Sequence, residues 1–196
     1  MARKYELKQR AENVEQTRRR IVEAAVELHG TVGPARTTVS AIADRAGVQR
    51  QTYYRHFPSE RGLFEACSGL WQERHPPPDP SGLREIADGE ERLRLALTGL
   101  YDFYESGEPM LANVVRDAPV HELTAETATM RMAAMAELRD VLAEVVAPPG
   151  SPATAGAMLD LLLDFTTWQA LVRRSGLSRD EAVELAVDTL GCVGSA

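Results

Sequence analysis

The sequence predicts an all-α protein, and three observations predict it. Apolar residues recur three and four positions apart over most of the chain, no stretch alternates as a half-buried strand would, and glycine and proline breakers separate the periodic segments. A chain of 196 residues exceeds what three short helices need, so a small N-terminal helical domain is expected to precede a larger helical one. The boundaries expected are a flexible basic arm over residues 1–12, a three-helix domain over 13–58 and a helical domain over 59–196.

The segment TTVSAIADRAGVQRQTYYRHFPSERGLF, Thr37 to Phe64, carries the densest local signals. Thr38 can offer its side-chain oxygen to the open amides of a helix starting at Val39. Ala41, Ile42, Ala43 and Ala46 supply that helix with a small apolar face. Gly47 sits where a residue without Cβ lets the chain turn sharply, and Val48 plugs the angle. A second helix starts near Gln49 and stops before Pro58, because the residue ahead of a proline is pushed out of the helical region.

Ser59 can cap a joining helix to about Glu73, with Leu63, Phe64, Cys67 and Leu70 or Trp71 inward, until HPPPDP at His75 to Pro80 ends it. A helix from about Glu90 to Glu105 has Leu93, Leu97, Leu100 and Tyr104 in register. Gly107 is expected to break it, and Pro109 to open a short helix through Asp117. A long helix from about Leu123 to Val146 follows, closed by PPGSP at Pro148 to Pro152. Two helices, about Ala153 to Arg174 and Ser178 to Leu190, end the chain, the second opened by a Ser178/Glu181 capping box. Ala157, Leu161, Phe165 and Trp168 form one stripe of the first, and Leu159, Leu162 and Leu163 widen it, so this helix is expected to be buried on more than one side.

On the second short helix, Tyr53 and Phe57 at i and i+4 face inward together, which turns Arg50 with Tyr54 and Gln51 with Arg55 outward. Arg50, Gln51, Thr52 and Arg55 are the residue types that read base edges, by paired bonds to guanine for Arg and to adenine for Gln. Thr38, Ser40, Tyr54, His56 and Arg61 suit phosphate oxygens. No acidic residue lies between Val48 and Ser59. Residues 1 to 61 hold twelve Lys and Arg against seven Asp and Glu, while the rest of the chain holds ten against twenty-two, so the overall charge of −7 hides a positive N-terminal part. Arg3, Lys4, Lys8 and Arg10 read either as an arm along phosphates or as a solvated tail.

These residues resemble the DNA-binding domain of the tetracycline-repressor (TetR) family of bacterial regulators over Gln16 to Ala66. The family's first-helix pattern appears as Ile21, Ala24, Ala25 and Leu28, its helix-turn-helix as Thr37 to Val48, and its recognition helix as Thr52, Tyr54, His56 and Phe57. Two positions depart. His29 stands where the family has a buried aromatic and is expected as a packed core imidazole, and Glu60 stands where a phosphate-binding lysine is common, leaving Arg61 to take that contact.

The resemblance implies a homodimer, joined through a four-helix bundle of the C-terminal pairs with Ala157, Leu161, Phe165 and Leu185 at the interface, that reads a palindromic operator in double-stranded DNA. It also implies a pocket for a small-molecule effector in the second domain. Candidate lining residues are Trp71, Leu97, Tyr101, Tyr104, Met110, Asn113, Val114, Arg116, Met130, Met135, Phe165 and Trp168, although an aromatic residue or Met at helical spacing is more often ordinary core. The function implied is a ligand-responsive repressor. The alternative is a ligand-blind dimeric DNA-binding or architectural regulator.

Enzyme chemistry finds little footing. Asp160 and Asp164 are one turn apart but read as solvent-facing, and His121, Glu122 and Glu126 match no zinc spacing. No Gly-rich phosphate loop, nucleophile elbow or Cys-x-x-Cys is present, so no catalytic residue, metal or cofactor is expected. No apolar run approaches the ~20 residues of a membrane span, and the charged N-terminus lacks a signal-peptide core. Cys67 and Cys192 fit a reducing compartment, so the expected location is the cytoplasm.

Overall fold

The computed structural model describes residues 2–146 and 152–191. Among them every regular element is helical: α1 (Ala2–Thr31), a 3₁₀ turn (Pro34–Arg36), α2 (Val39–Ala46), α3 (Arg50–His56), α4 (Glu60–Arg74), a second 3₁₀ turn (Leu83–Glu85), α5 (Gly89–Asp117), α6 (Glu122–Ala143), α7 (Pro152–Leu162), α8 (Phe165–Trp168), a π-helical turn (Gln169–Arg174) and α9 (Arg179–Leu190). None of the helices described is long and apolar enough to cross a membrane. Two compact units arise, one of Met1–His75 with Pro109–Ala128, the other of Pro76–Glu108 with Thr129–Ala196.

In the first unit α1 packs on α2 and α4, and α2 on α3. Its core joins Ile21 and Ala25 of α1, Ile42 and Ala43 of α2, Tyr53 and Phe57 around α3, and Leu63 and Cys67 of α4. Each local signal has its counterpart. Thr38 Oγ1 accepts from Ala41 N at 3.2 Å, Gly47 adopts φ 65° at the end of α2, and Ser59 Oγ accepts from Gly62 N at 3.2 Å. In the second unit Leu93, Leu97, Leu100 and Tyr101 of α5 are buried, as are Leu159 of α7 and Ala182, Ala186 and Leu190 of α9. The Ser178/Glu181 capping box opens α9 with both of its reciprocal bonds.

Three elements differ from expectation. Residues 2–12, expected as a flexible arm, belong to α1. No glycine or proline interrupts residues 2–29, so once the core-packed part of the helix is nucleated it propagates toward the N-terminus, with Lys8 and Glu12 adding an i,i+4 ion pair at 3.7 Å. The break expected at Gly107 is absent, and α5 runs unbroken past it with Pro109 inside. An internal proline costs about 3 kcal/mol, and the apolar register continues through it as Leu111 and Val114, both buried, which outweighs the local penalty. Conversely, the helix expected from Ala153 to Arg174 is cut after Leu162. Asp164 accepts from Thr166 N at 2.8 Å and Thr167 N at 3.3 Å, starting α8 afresh. The stripe from Ala157 to Trp168 therefore does not share one face. Pro148 to Ser151 and Cys192 lie outside the described residues.

Candidate nucleic-acid interface

The short helix α3 divides its residues sharply. Tyr53 and Phe57 are buried with ring centroids 6.2 Å apart, holding the helix against α2 and α1. That anchoring leaves Arg50, Gln51, Tyr54 and Arg55 exposed, with Thr52 half-buried between them. Among the described residues neither Arg50 nor Arg55 forms an ion pair, whereas Arg45 of α2 is held by Glu27 and Arg19 and Arg74 by Glu23. Two uncommitted guanidinium groups and an amide on one rigid face can offer paired donors to base edges without first breaking an internal bond. Thr38 is exposed and Ser40 half-buried at the start of α2. Thr38 uses its oxygen as acceptor for the cap, so its O–H remains a donor.

His56 and Arg61 are placed differently from simple phosphate ligands. His56 is half-buried, its Nε2 is shielded and finds no hydrogen-bond partner, and burial followed by the fields of Arg55 and Arg18 lowers its pKa from the usual imidazole value. It is therefore neutral near pH 7 and brings no positive charge. Arg61 is engaged by Glu126 through two bonds of 2.6 and 3.0 Å, and Glu60 beside it faces His121 Nε2 at 3.1 Å. Arg18 of α1 lies over the Phe57 ring with its guanidinium carbon 4.3 Å from the centroid and donates to the His56 carbonyl at 3.4 Å. It pins the end of α3 to α1, a contact across 38 residues that no local signal announces.

The twelve candidate pocket residues do not form one set. Trp71, Met110, Asn113, Val114 and Arg116 belong to the first unit; Leu97, Tyr101, Tyr104, Met130, Met135, Phe165 and Trp168 belong to the second. Asn113 and Arg116 cap α1. The Asn113 amide donates to the carbonyls of His29 and Gly30, both at 2.9 Å, and its oxygen accepts from Arg116 at 2.7 Å. Arg116 also donates to the Val32 carbonyl at 2.9 Å and holds Asp117, whose carboxylate accepts from Ala35 N at 3.0 Å. Orphan carbonyls at a helix end need such partners. Gly33 makes the approach possible, with φ 101° and a would-be Cβ only 1.9 Å from an Arg116 nitrogen.

In the second unit Tyr104, Phe165 and Trp168 form an aromatic cluster, with Tyr104 to Phe165 at 5.3 Å and Phe165 to Trp168 at 5.5 Å. The Tyr101 and Tyr104 hydroxyls donate to the carbonyls of Leu162 and Leu163 at 3.2 and 2.6 Å, where the cut between α7 and α8 frees those groups. Leu97 is buried, Met135 is half-buried and Met130 is exposed. Of the four interface candidates, Ala157, Leu161 and Leu185 are exposed on the packed pair α7 and α9, with Leu161 at 53% and Leu185 at 45%. Phe165 is the exception: it is buried within its own unit, because the new start at Asp164 turns it into the aromatic cluster.

The acidic and imidazole candidates have structural duties. Asp160 pairs with Arg139, Asp164 caps α8, and Glu126 holds Arg61. His29 is buried against Phe64 at 5.7 Å, with its Nδ1 3.5 Å from Cys67 Sγ. Burial, then the field of His121, lowers its pKa to about 4.

Two short helices joined at a left-handed glycine, the second anchored by paired rings and polar outside, define a helix-turn-helix protein. Residues 21–67 match the model of the family described as bacterial regulatory proteins, tetR family. It is 33% identical over 95 residues to the HTH-type transcriptional activator FasR of Mycolicibacterium smegmatis, a match covering 46% of this chain and 42% of FasR. It is 39% identical over 64 residues to the HTH-type transcriptional regulator TtgR of Pseudomonas putida, covering 33% of this chain and 30% of TtgR. The chain thus matches less than half the length of either relative. The fold extends further: NalD, the secondary repressor of the MexAB-OprM multidrug efflux pump in Pseudomonas aeruginosa, superposes with a TM-score of 0.61 at 21% identity, covering 93% of this chain and 98% of NalD. A transcriptional regulator from Rhodococcus sp. Rha1 gives 0.58 at 20% identity, covering 87% and 91%.

Proposed function

We propose that this chain is a DNA-binding transcriptional regulator that acts as a homodimer in the cytoplasm, and that it is a repressor released from a palindromic operator by a small-molecule effector. The observation that carries the reading is the outward face of α3, where Arg50, Gln51 and Arg55 stand exposed on a helix fixed from behind by Tyr53 and Phe57. In this reading Arg50, Gln51, Thr52 and Arg55 touch bases, and Thr38, Ser40 and Tyr54 touch phosphates. His56 contributes position rather than charge, and Arg61 reaches a phosphate only by exchanging Glu126 for it. One two-turn helix provides too little affinity alone. A partner copy held by the exposed faces of α7 and α9 would set two recognition helices roughly 34 to 36 Å apart, one turn of DNA.

The test is recovery of genomic fragments bound by the purified protein, followed by mobility-shift titration. Saturable binding to a palindromic fragment, with random DNA weaker, is expected; indifference to every fragment at low salt would refute the proposal. A second reading, a ligand-blind dimeric regulator, is favoured by the close packing and backbone hydrogen bonds of Tyr101, Tyr104, Phe165 and Trp168, which occupy the positions an effector would contact. Trp168 emission separates the two: quenching by a small molecule in step with DNA release supports the effector, and DNA release by no compound supports the ligand-blind form.

A further inference from the structure

The helix-turn-helix unit carries a half-open cavity of about 310 Å³ lined in part by α3. Its wall is unusually aromatic, with the rings of His29, Tyr53, Tyr54, Phe57, Phe64 and His121 all contributing, and its mouth carries Ser59 and Glu60. No lysine or arginine lines it. Two imidazoles shape the polar part of the wall. His29 is neutral at pH 7, since burial holds its pKa at about 4. His121 Nδ1 accepts from Thr124 N at 3.3 Å and lies 2.7 Å from the Thr124 hydroxyl, which assigns its proton to Nε2, 3.1 Å from a Glu60 oxygen. That ring N–H faces the Glu60 carboxylate, and Glu60 is the one acidic residue on the lining.

Ring faces carry negative electrostatic potential, and a carboxylate at the mouth adds a full negative charge. A phosphate or carboxylate entering this space meets repulsion from Glu60 and finds no cationic partner. A cation of modest size meets the Glu60 carboxylate at the mouth and aromatic residues along the wall, among aliphatic ones such as Val39, Ile42 and Leu63. A volume near 300 Å³ is at the lower end of what small-molecule sites occupy. We propose that this cavity binds a small organic cation, an amine or quaternary ammonium whose alkyl shell packs on the Tyr53, Phe57 and Phe64 rings and whose charge faces Glu60. The site lies wholly within the DNA-reading unit and is separate from the aromatic cluster of Tyr104, Phe165 and Trp168. Its occupant touches both the inward and the outward tyrosine of α3. On the reading given under the proposed function, cation binding would therefore weaken the grip on DNA.

The binding itself is tested without DNA, so its failure is distinct from failure of the DNA-reading proposal. Choline is titrated into the full chain by calorimetry beside its uncharged isostere 3,3-dimethylbutan-1-ol, which has the same shape and no charge. Choline is expected to saturate at millimolar concentration or below and to bind about tenfold more tightly than the isostere, within the range of desolvated cation–π contacts. Glu60→Gln, an exposed change that leaves the core intact, is expected to bring choline down to the level of the isostere. Ring-proton shifts of His29 and His121 on binding place the ligand in this cavity. Equal binding of choline and the isostere, no saturation by choline up to tens of millimolar, or choline affinity unchanged in Glu60→Gln would each overturn the proposal.

Discussion

Acidification from pH 7 toward pH 4 should destabilise the helix-turn-helix unit through one imidazole. His29 is 7% exposed, packed beside Phe64, and its folded pKa is about 4 against an ordinary 6.5. With the folded value depressed, the unfolded chain takes up this proton first as the pH falls through 6.5, and the folded chain follows only near 4. Stability is thus complete above 6.5 and is lost between 6.5 and 4. At 1.36 kcal/mol per unit, a shift of this size amounts to about 3 kcal/mol at the acid end and about 2 kcal/mol at pH 4.5. His56 contributes with the same sign, since its pKa is also lowered. Asp117 acts in a separate window: the bond from Arg116 holds its carboxyl below the usual value, so its contribution is lost only beneath the ordinary carboxylate range. Urea unfolding followed by Trp71 emission in a Trp168→Phe background reads the first unit directly. The parent should lose about 2 kcal/mol between pH 7 and 4.5, and His29→Phe, which replaces one buried ring with another, should lose markedly less. Identical pH dependence in the two proteins would refute the assignment.

Three further outcomes follow from contacts at other places. Asn113→Ala strands the His29 and Gly30 carbonyls at the end of α1 and should cost about 1 to 3 kcal/mol in the same unfolding assay. A cost below a few tenths would show that water replaces the amide freely. Tyr104→Phe removes the donor to Leu163 at 2.6 Å and leaves a carbonyl unpaired where the chain is cut, for a similar loss of about 1 to 3 kcal/mol by thermal unfolding. In a Cys192→Ser background, Cys67, whose thiol burial pushes up to about 12, should resist iodoacetamide at pH 8 until denaturant is added. Rapid labelling of the native protein would contradict its burial.

Legibility of this chain follows the range of the interactions involved. Thr38, Gly47, Ser59 and the Ser178/Glu181 pair act on backbone groups two to four residues away, and each could be read from its neighbours alone. Tyr53 and Phe57 needed only the helical period. Pro109 misled because the local cost of a proline was visible while the burial of Leu111 and Val114 was not. The cut at Asp164 had a signal, an aspartate two and three residues before Thr166 and Thr167, but the apolar stripe running across it concealed the cap. Asn113 and Arg116 looked like pocket polar groups because their partners at His29, Gly30 and Val32 are more than eighty residues distant. Gly33, whose missing side chain admits Arg116, could not be read for the same reason.

The outward face of α3 is tested most directly by fluorescence anisotropy on a genomic fragment recovered with the parent protein, measured for Arg50→Ala, Arg55→Ala and the control Arg94→Ala. Arg94 is bound to Glu184 and Glu90 in the second unit and should leave DNA affinity unchanged. Loss of a paired base contact is worth about 1 to 3 kcal/mol, so the α3 variants should weaken binding to the recovered fragment by roughly 5- to 150-fold and weaken random DNA less. Parent-like affinity in both α3 variants, or an equal loss with Arg94→Ala, would contradict the account.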